Sequence, residues 1–333
     1  MDFLPRTRRT EGASGLSRRE LLVALSAALA APGASAQAPK ASIATRRLNN
    51  VMIAVTDMTR SIAFYQKLFG APAMQNGVAV FRVGEGPHFF SLKAAANGKP
   101  EYVSFGMTVE DFDPQRLMTT LSSLGAMGAL VTPREGTPEL FVPDPDGIRI
   151  QLQHVAYGYG SGPRGDGLAL SSRGGPRPAF ELRSLNHVTL AVTNGMRSQD
   201  FYQRVFGMPV QTRQGAGATL RIGAGPESVT VGGGNAAAAG INHACFSIEN
   251  FDPNRAMGIL IDNGLTPIEY GNPATIKPLT CRVRLRQQAN NGGGPTSPLG
   301  TAELYFNDPD NMTVQIQDVT YCSGSGWLGQ ICP

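Results

Sequence analysis

Four separated segments of this 333-residue chain occur twice, in the same order. An internal repeat of this kind decides the architecture before any single motif does. Leu48-Asn49-Asn50-Val51-Met52-Ile53-Ala54-Val55-Thr56 matches Leu185-Asn186-His187-Val188-Thr189-Leu190-Ala191-Val192-Thr193. Phe64-Tyr65-Gln66 with Phe69-Gly70 matches Phe201-Tyr202-Gln203 with Phe206-Gly207. Glu110 to Pro114 matches Glu249 to Pro253, and Glu139-Leu140-Phe141 with Asp144-Pro145-Asp146 matches Glu303-Leu304-Tyr305 with Asp308-Pro309-Asp310. The spacing between copies widens before the last segment, so the second copy carries an insertion between about Tyr270 and Gly300.

Each copy predicts the same elements. A β-like apolar run (Val51–Val55; Val188–Val192) precedes an amphipathic helix (Met58–Phe69; Met196–Phe206), whose Phe64/Leu68 and Phe201/Val205 pairs sit at i, i+4 spacing. Gly70 and Gly207 suit the helix C-caps. Short strands follow, then a second strand–helix set from Val103 and Ala244, closed by strands Ile148–Gln153 and Met312–Gln317. The expected class is α+β: two tandem domains, each of paired βαβββ modules whose curved mixed sheets surround a cavity. The domains span 45–157 and 182–320. A Gly/Pro-rich linker (158–181) joins them and a tail (321–333) follows.

Residues 1–36 read as a leader. Ser17-Arg18-Arg19-Glu20-Leu21-Leu22 precedes the apolar run Val23 to Ala31 and the small-residue site Ala34-Ser35-Ala36. The arginine pair before a mildly hydrophobic stretch resembles a twin-arginine signal, which implies a periplasmic protein. The run is too short to span a bilayer, so no stable membrane span is expected after cleavage. The leader holds five Arg against Asp2, Glu11 and Glu20, about half the formal charge of +4. What remains is too little to argue for a nucleic-acid partner. Arg282, Arg284 and Arg286 alternate with Val283 and Leu285; a solvated strand face is the expected reading, an anion-attracting face the other. All four cysteines lie in the second half. Cys322 and Cys332 could staple the tail, and Cys245 is expected in the core.

The motifs L-N-x-V-x-x-A-V-T, F-Y-x-x-x-F-G and F-x-x-D-P-D-G/N resemble the vicinal oxygen chelate superfamily, which includes glyoxalase I, extradiol dioxygenases and bleomycin-resistance proteins. The resemblance covers about residues 45–155 and 182–320. It implies metal ligands from a first strand, from the first strand of the second module, and from the last strand. His187, His243 and Gln315 fall on those positions in the second domain, so a single divalent transition metal is expected there only: Fe(II) or Mn(II), with Zn(II) or Ni(II) as alternatives. Glutamine stands where the family usually has glutamate. A hydrogen-bonded core histidine is the alternative at each histidine position. The first domain offers Asn50, Ser104 and Gln151, none a strong ligand, and reads as a non-catalytic partner. Glu303 and Tyr305 share a strand face. Tyr305 lies where extradiol enzymes carry a similar tyrosine, although a core tyrosine is equally open, and Glu303 is the nominated base. His88 and His154 are expected at the surface or at strand ends.

The resemblance implies a metal-dependent dioxygenase- or lyase-like enzyme. Its substrate would be a small molecule that chelates through adjacent oxygens, and the chain a monomer or homodimer. The alternative is a periplasmic protein that binds or sequesters a small molecule without chemistry, and a third is an exported structural protein with relic histidines.

Overall fold

A computed structural model describes residues 43–134, 136–167, 177–214, 216–234, 236–286 and 301–321. The leader, Cys322, Cys332 and most of the tail lie outside these residues. The first domain forms an eight-stranded mixed sheet with strand order β2-β3-β4-β1-β5-β8-β7-β6. It is built from β1 (Thr45–Val55), α1 (Met58–Phe69), β2 (Ala73–Gln75), β3 (Val78–Arg82) and β4 (Phe89–Ala94), then β5 (Glu101–Val109), α2 (Pro114–Ser123), β6 (Ala129–Arg134), β7 (Thr137–Pro143) and β8 (Arg149–His154). The second domain repeats this order with β9 (Ser184–Ala191), α3 (Gly195–Phe206), β10 (Val210–Gln214), β11 (Gly217–Arg221) and β12 (Ser228–Val231). Its second module holds β13 (Gly240–Ile248), α4 (Pro253–Asp262), β14 (Thr266–Pro267), β15 (Thr280–Arg286), β16 (Thr301–Asn307) and β17 (Thr313–Asp318). Its sheet runs β10-β11-β12-β9-β13-β17-β16-β15-β14. The expected α+β class of paired βαβββ modules with curved mixed sheets is what the chain forms. The second copy has the extra short strand β14 just before its insertion, and the insertion adds a 3-10 turn at Pro273–Thr275 and a longer approach to β15.

Local chemistry explains the helices. Asp57 and Asn194 cap α1 and α3, each accepting a hydrogen bond from an arginine N–H three residues on. Gly207 ends α3 in the left-handed region at φ 62°, where a β-carbon would be strained.

The first helix of each domain faces both sheets. Phe64 and Phe69 of α1 lie 6.0 and 5.7 Å, ring to ring, from Phe306 and Phe246 of the second sheet. Buried phenylalanines contribute about 1.5–3 kcal/mol each, so the two domains share one apolar core rather than meeting across a wet seam. The Asp-Pro-Asp turns reinforce it reciprocally. Asp146 of the first domain accepts from Thr193 N (2.8 Å), Thr193 Oγ1 (2.5 Å) and Arg197 of the second. Asp310 of the second accepts from Thr56 N (2.7 Å), Thr56 Oγ1 (2.5 Å) and Arg60 of the first. The preceding aspartates repeat the pattern: Tyr65 donates to Asp308 at 3.0 Å and Tyr202 to Asp144 at 3.3 Å.

His88 was expected at the surface or a strand end. It stands just before β4 but is buried, and desolvation followed by the charge of Arg47 lowers its pKa to about 4. Its counterpart Glu227 is also buried, accepting from Arg47 Nε (2.7 Å) and Leu48 N (3.2 Å) of the other domain.

Candidate functional site

One transverse row of the second sheet organises the site. Strand pairing aligns Ser228, His187, Cys245, Gln315, Tyr305 and Arg282 across β12, β9, β13, β17, β16 and β15. Residues paired across a ladder point to one face. His243, two residues before Cys245, shares that face and pairs with Thr189 and Thr313. Curvature turns the face inward around a cavity of about 530 Å³, lined by His187, His243, Gln315, Tyr305, Tyr321 and Arg282 among others. The three residues expected as ligands therefore meet in one cavity.

His187 and His243 are both buried, their ring centroids 5.5 Å apart and nearly perpendicular. His187 Nδ1 lies 2.8 Å from Asn186 Oδ1, and His243 Nδ1 lies 2.8 Å from Asn242 Oδ1. An amide oxygen only accepts, so each Nδ1 donates, and a ring that is neutral then presents its Nε2 lone pair. Asn186 is held in that orientation because its Nδ2 donates to the Tyr321 carbonyl at 2.9 Å. This is the arrangement a metal-ligating imidazole needs, with the far nitrogen fixed by a neighbour.

Gln315 is fully buried, its Oε1 3.0 Å from His243 Nε2 and its Nε2 without a partner among the described residues. Two lone-pair donors facing each other, beside an unsatisfied amide N–H, form a pair that a turned amide or a cation between them would reconcile. The donor set is two imidazoles and one amide oxygen, which fits a divalent transition ion of intermediate softness. Among the described residues no cluster of three His, Cys, Asp or Glu side chains could hold a metal; the third donor beside the two histidines is an amide.

Tyr305 lines the cavity, its ring centroid 5.4 Å from that of His243. Glu303 does not reach the cavity. It lies fully buried beneath, accepting from Tyr305 OH at 3.0 Å and Tyr321 OH at 2.5 Å, with Arg284 Nη1 3.7 Å away. A base at Glu303 would therefore act through a tyrosine hydroxyl. Cys245 is buried in the row, and burial, then Glu303, pushes its thiol up, as befits a core residue.

The matching face of the first domain is filled by amides. Asn50 Nδ2 donates to Asn49 Oδ1 (3.1 Å) and Gln151 Oε1 (3.4 Å), and Gln153 Nε2 donates to Asn49 Oδ1 (2.8 Å). Ser104 is buried on the same strand as Gly106, whose absent β-carbon leaves the space: one placed there would sit 2.3 Å from Asn50 Nδ2.

Three features escaped the sequence reading. Tyr321, placed in the tail, lines the cavity and stacks obliquely on His187 at 5.6 Å. Its signal was the repeat itself, since Tyr157 stands as far beyond Glu139 as Tyr321 beyond Glu303 and binds it in the same way. The asparagine before each histidine was visible as a doubled Asn-His pair. Arg282 and Arg284, expected on a solvated strand face, line the cavity instead, together with Glu269 to Pro273 and Ile276.

The Glyoxalase/Bleomycin resistance protein/Dioxygenase superfamily model matches residues 47–152. No curated protein matches the chain. In solved structures, the chain is similar in fold to the 2,3-dioxygenase LapB from Pseudomonas sp. KL28, with 16% identity, TM-score 0.59, and 83% of this chain and 93% of that one covered. It is similar to the Mn(II)-bound glyoxalase from Novosphingobium aromaticivorans, with 13% identity, TM-score 0.59, and 86% and 87% covered. It is also similar to homoprotocatechuate 2,3-dioxygenase from Arthrobacter globiformis, with 17% identity, TM-score 0.58, and 84% and 82% covered. The family model thus covers the first domain, and the second domain repeats the same order of strands and helices, so the chain shares a two-domain fold with these structures.

Proposed function

We propose that the chain is an exported, metal-dependent enzyme of dioxygenase- or lyase-like type. Its second domain would hold one divalent transition ion through His187 Nε2, His243 Nε2 and Gln315 Oε1. The observation that carries the reading is the pair of buried imidazoles, each with Nδ1 on an asparagine oxygen and both lining the cavity with the Gln315 amide. Fe(II) or Mn(II) suits this neutral donor set, with Zn(II) and Ni(II) as alternatives. A bound ion would supply Lewis-acid polarisation of a substrate that chelates through adjacent oxygens, such as a catechol or a 2-oxo acid. Around it, the chain's own residues have distinct tasks. Asn186 and Asn242 hold the two rings in one tautomer. Tyr305 offers a hydroxyl to the cavity, backed by Glu303, so a proton has a path between Tyr305 Oη and the buried carboxylate. The leader at Ser17 to Ala36 supports a periplasmic location.

Two features favour a second reading, binding without turnover. Glutamine adds no negative charge to the donor set, and Glu303 is reached only through tyrosines. A screen of catechols and 2-oxo acids under oxygen, with Fe(II)- and Mn(II)-loaded protein, tests the choice. Turnover that disappears in His243→Ala supports the enzyme. Saturable binding without product supports sequestration.

A further inference from the structure

Arg282 is 7% exposed, yet it forms no ion pair among the described residues. Its one hydrogen bond to a side chain is to a neutral acceptor, Nη1 donating to Asn307 Oδ1 at 2.6 Å. Asn307 is itself fixed, with its Nδ2 directed to Asn311 O and Thr313 Oγ1, both at 3.1 Å, so its oxygen must face the arginine. The guanidinium carbon lies 5.3 Å from the Tyr305 ring centroid. These contacts orient the charge without neutralising it. A buried cation left this way is costly unless an anion joins it.

The surroundings point the same way. Arg284 lines the cavity too, over Tyr270 at 5.4 Å, and its nearest carboxylate is Glu303 at 3.7 Å behind the wall. Glu269 is the one acidic residue among those lining the cavity. Burial also lowers the pKa of Arg282, which marks the desolvation that an incoming anion would offset. In the transverse row Arg282 stands next to Tyr305 and two strands from Gln315, about 10 Å at the backbone. That separation leaves room for one small ring or short chain between the two groups.

We infer that Arg282, supported by Arg284, forms an anion subsite, and that the ligand carries a carboxylate or similar oxyanion on the side opposite its chelating oxygens. The planar guanidinium fork suits bidentate pairing with such a group. The inference rests on reading this cavity as the substrate site, but it does not depend on the metal.

The test is isothermal titration calorimetry on the metal-free mature chain with 3,4-dihydroxybenzoate and its neutral isostere 3,4-dihydroxybenzamide. The carboxylate should bind at least roughly tenfold more tightly, the scale of one charge-assisted hydrogen-bond pair. Arg282→Gln should remove that preference, Arg282→Lys should keep part of it, and Arg284→Gln should weaken it less. Far-ultraviolet circular dichroism checks that the variants fold, and Arg282→Lys still reports if Arg282→Gln does not. Equal binding of the two compounds, binding of neither, or an undiminished preference in Arg282→Gln would overturn the inference. Failure of the metal reading shows separately, as absent Mn(II) binding with the carboxylate preference intact.

Discussion

Nε2 of His243 lies 3.0 Å from Oε1 of Gln315, while Nδ1 of the same ring lies 2.8 Å from Oδ1 of Asn242. A neutral imidazole has one N–H and cannot donate to both oxygens. Three states resolve the conflict: a protonated ring, a turned glutamine amide, or a cation between Nε2 and Oε1. A turned amide would let Gln315 Nε2 donate to His243 Nε2; the matching orientation of His187, whose Nδ1 also lies on an asparagine oxygen, is what favours the cation. Gln315→Glu then supplies the charge that the trio lacks. Titration with Mn(II) should show affinity raised by roughly tenfold or more, about 1.4 kcal/mol. Unchanged or weaker binding would remove Gln315 from the ligand set.

Asn186 would act on a bound metal through His187. Its Nδ2 is held by the Tyr321 carbonyl and its Oδ1 fixes the ring tautomer. Asn186→Ala should lower Mn(II) affinity by about 10- to 100-fold, the range for partners of metal-bound histidines. Asn49→Ala, at the equivalent place in the first domain, should leave Mn(II) affinity unchanged. Equal effects of the two variants would place the metal elsewhere.

The fold, and the meeting of His187, His243 and Gln315 in one cavity, were legible because the repeat kept register. Asn50 and His187 occupy the same place in β1 and β9, so the difference in side chain was readable as a difference in role. What the repeat could not display was depth. Glu303 and Tyr305 share a face in sequence, yet curvature of β16 presents the tyrosine to the cavity and leaves the carboxylate beneath it. Arg282 stayed hidden for a similar reason. Its alternation with Val283 fits a solvated strand, and the contacts that hold it, Tyr305 and Asn307, come from β16, which the local pattern does not display. The interdomain role of Asp146 and Asp310 was also invisible, since Asp-Pro-Asp reads locally as a turn.

The reciprocal clasps join the domains energetically. Asp310 accepts three hydrogen bonds from the exposed Thr56 and Arg60, and Asp310→Ala removes all three. Chemical denaturation should show a loss of about 1–3 kcal/mol in a single transition. Asp146→Ala should cost a similar amount. Two resolved transitions in the native chain would contradict a shared core.

Asp308 gives the clasp a pH dependence. Burial raises its carboxyl from 3.8 to about 6, against the opposing backbone and Tyr65 hydrogen bonds. A raised carboxyl contributes stability that is full below the unfolded pKa and lost as pH rises through about 6. Asp308→Asn, which keeps an acceptor for the Asp310 and Met312 N–H groups, should therefore gain on the native chain between pH 4 and 7, by up to about 3 kcal/mol. Stability curves for the two proteins that stay parallel over this range would show that Asp308 does not titrate there.

The central claim is a single metal site in the second domain, and elemental analysis of the mature chain from Gln37 onward tests it most directly. After reconstitution with Fe(II) or Mn(II) and removal of excess ion, the account predicts one equivalent of metal per chain, absent from the His187→Ala, His243→Ala double variant. A native chain that retains no metal, or a double variant that retains as much, would contradict it.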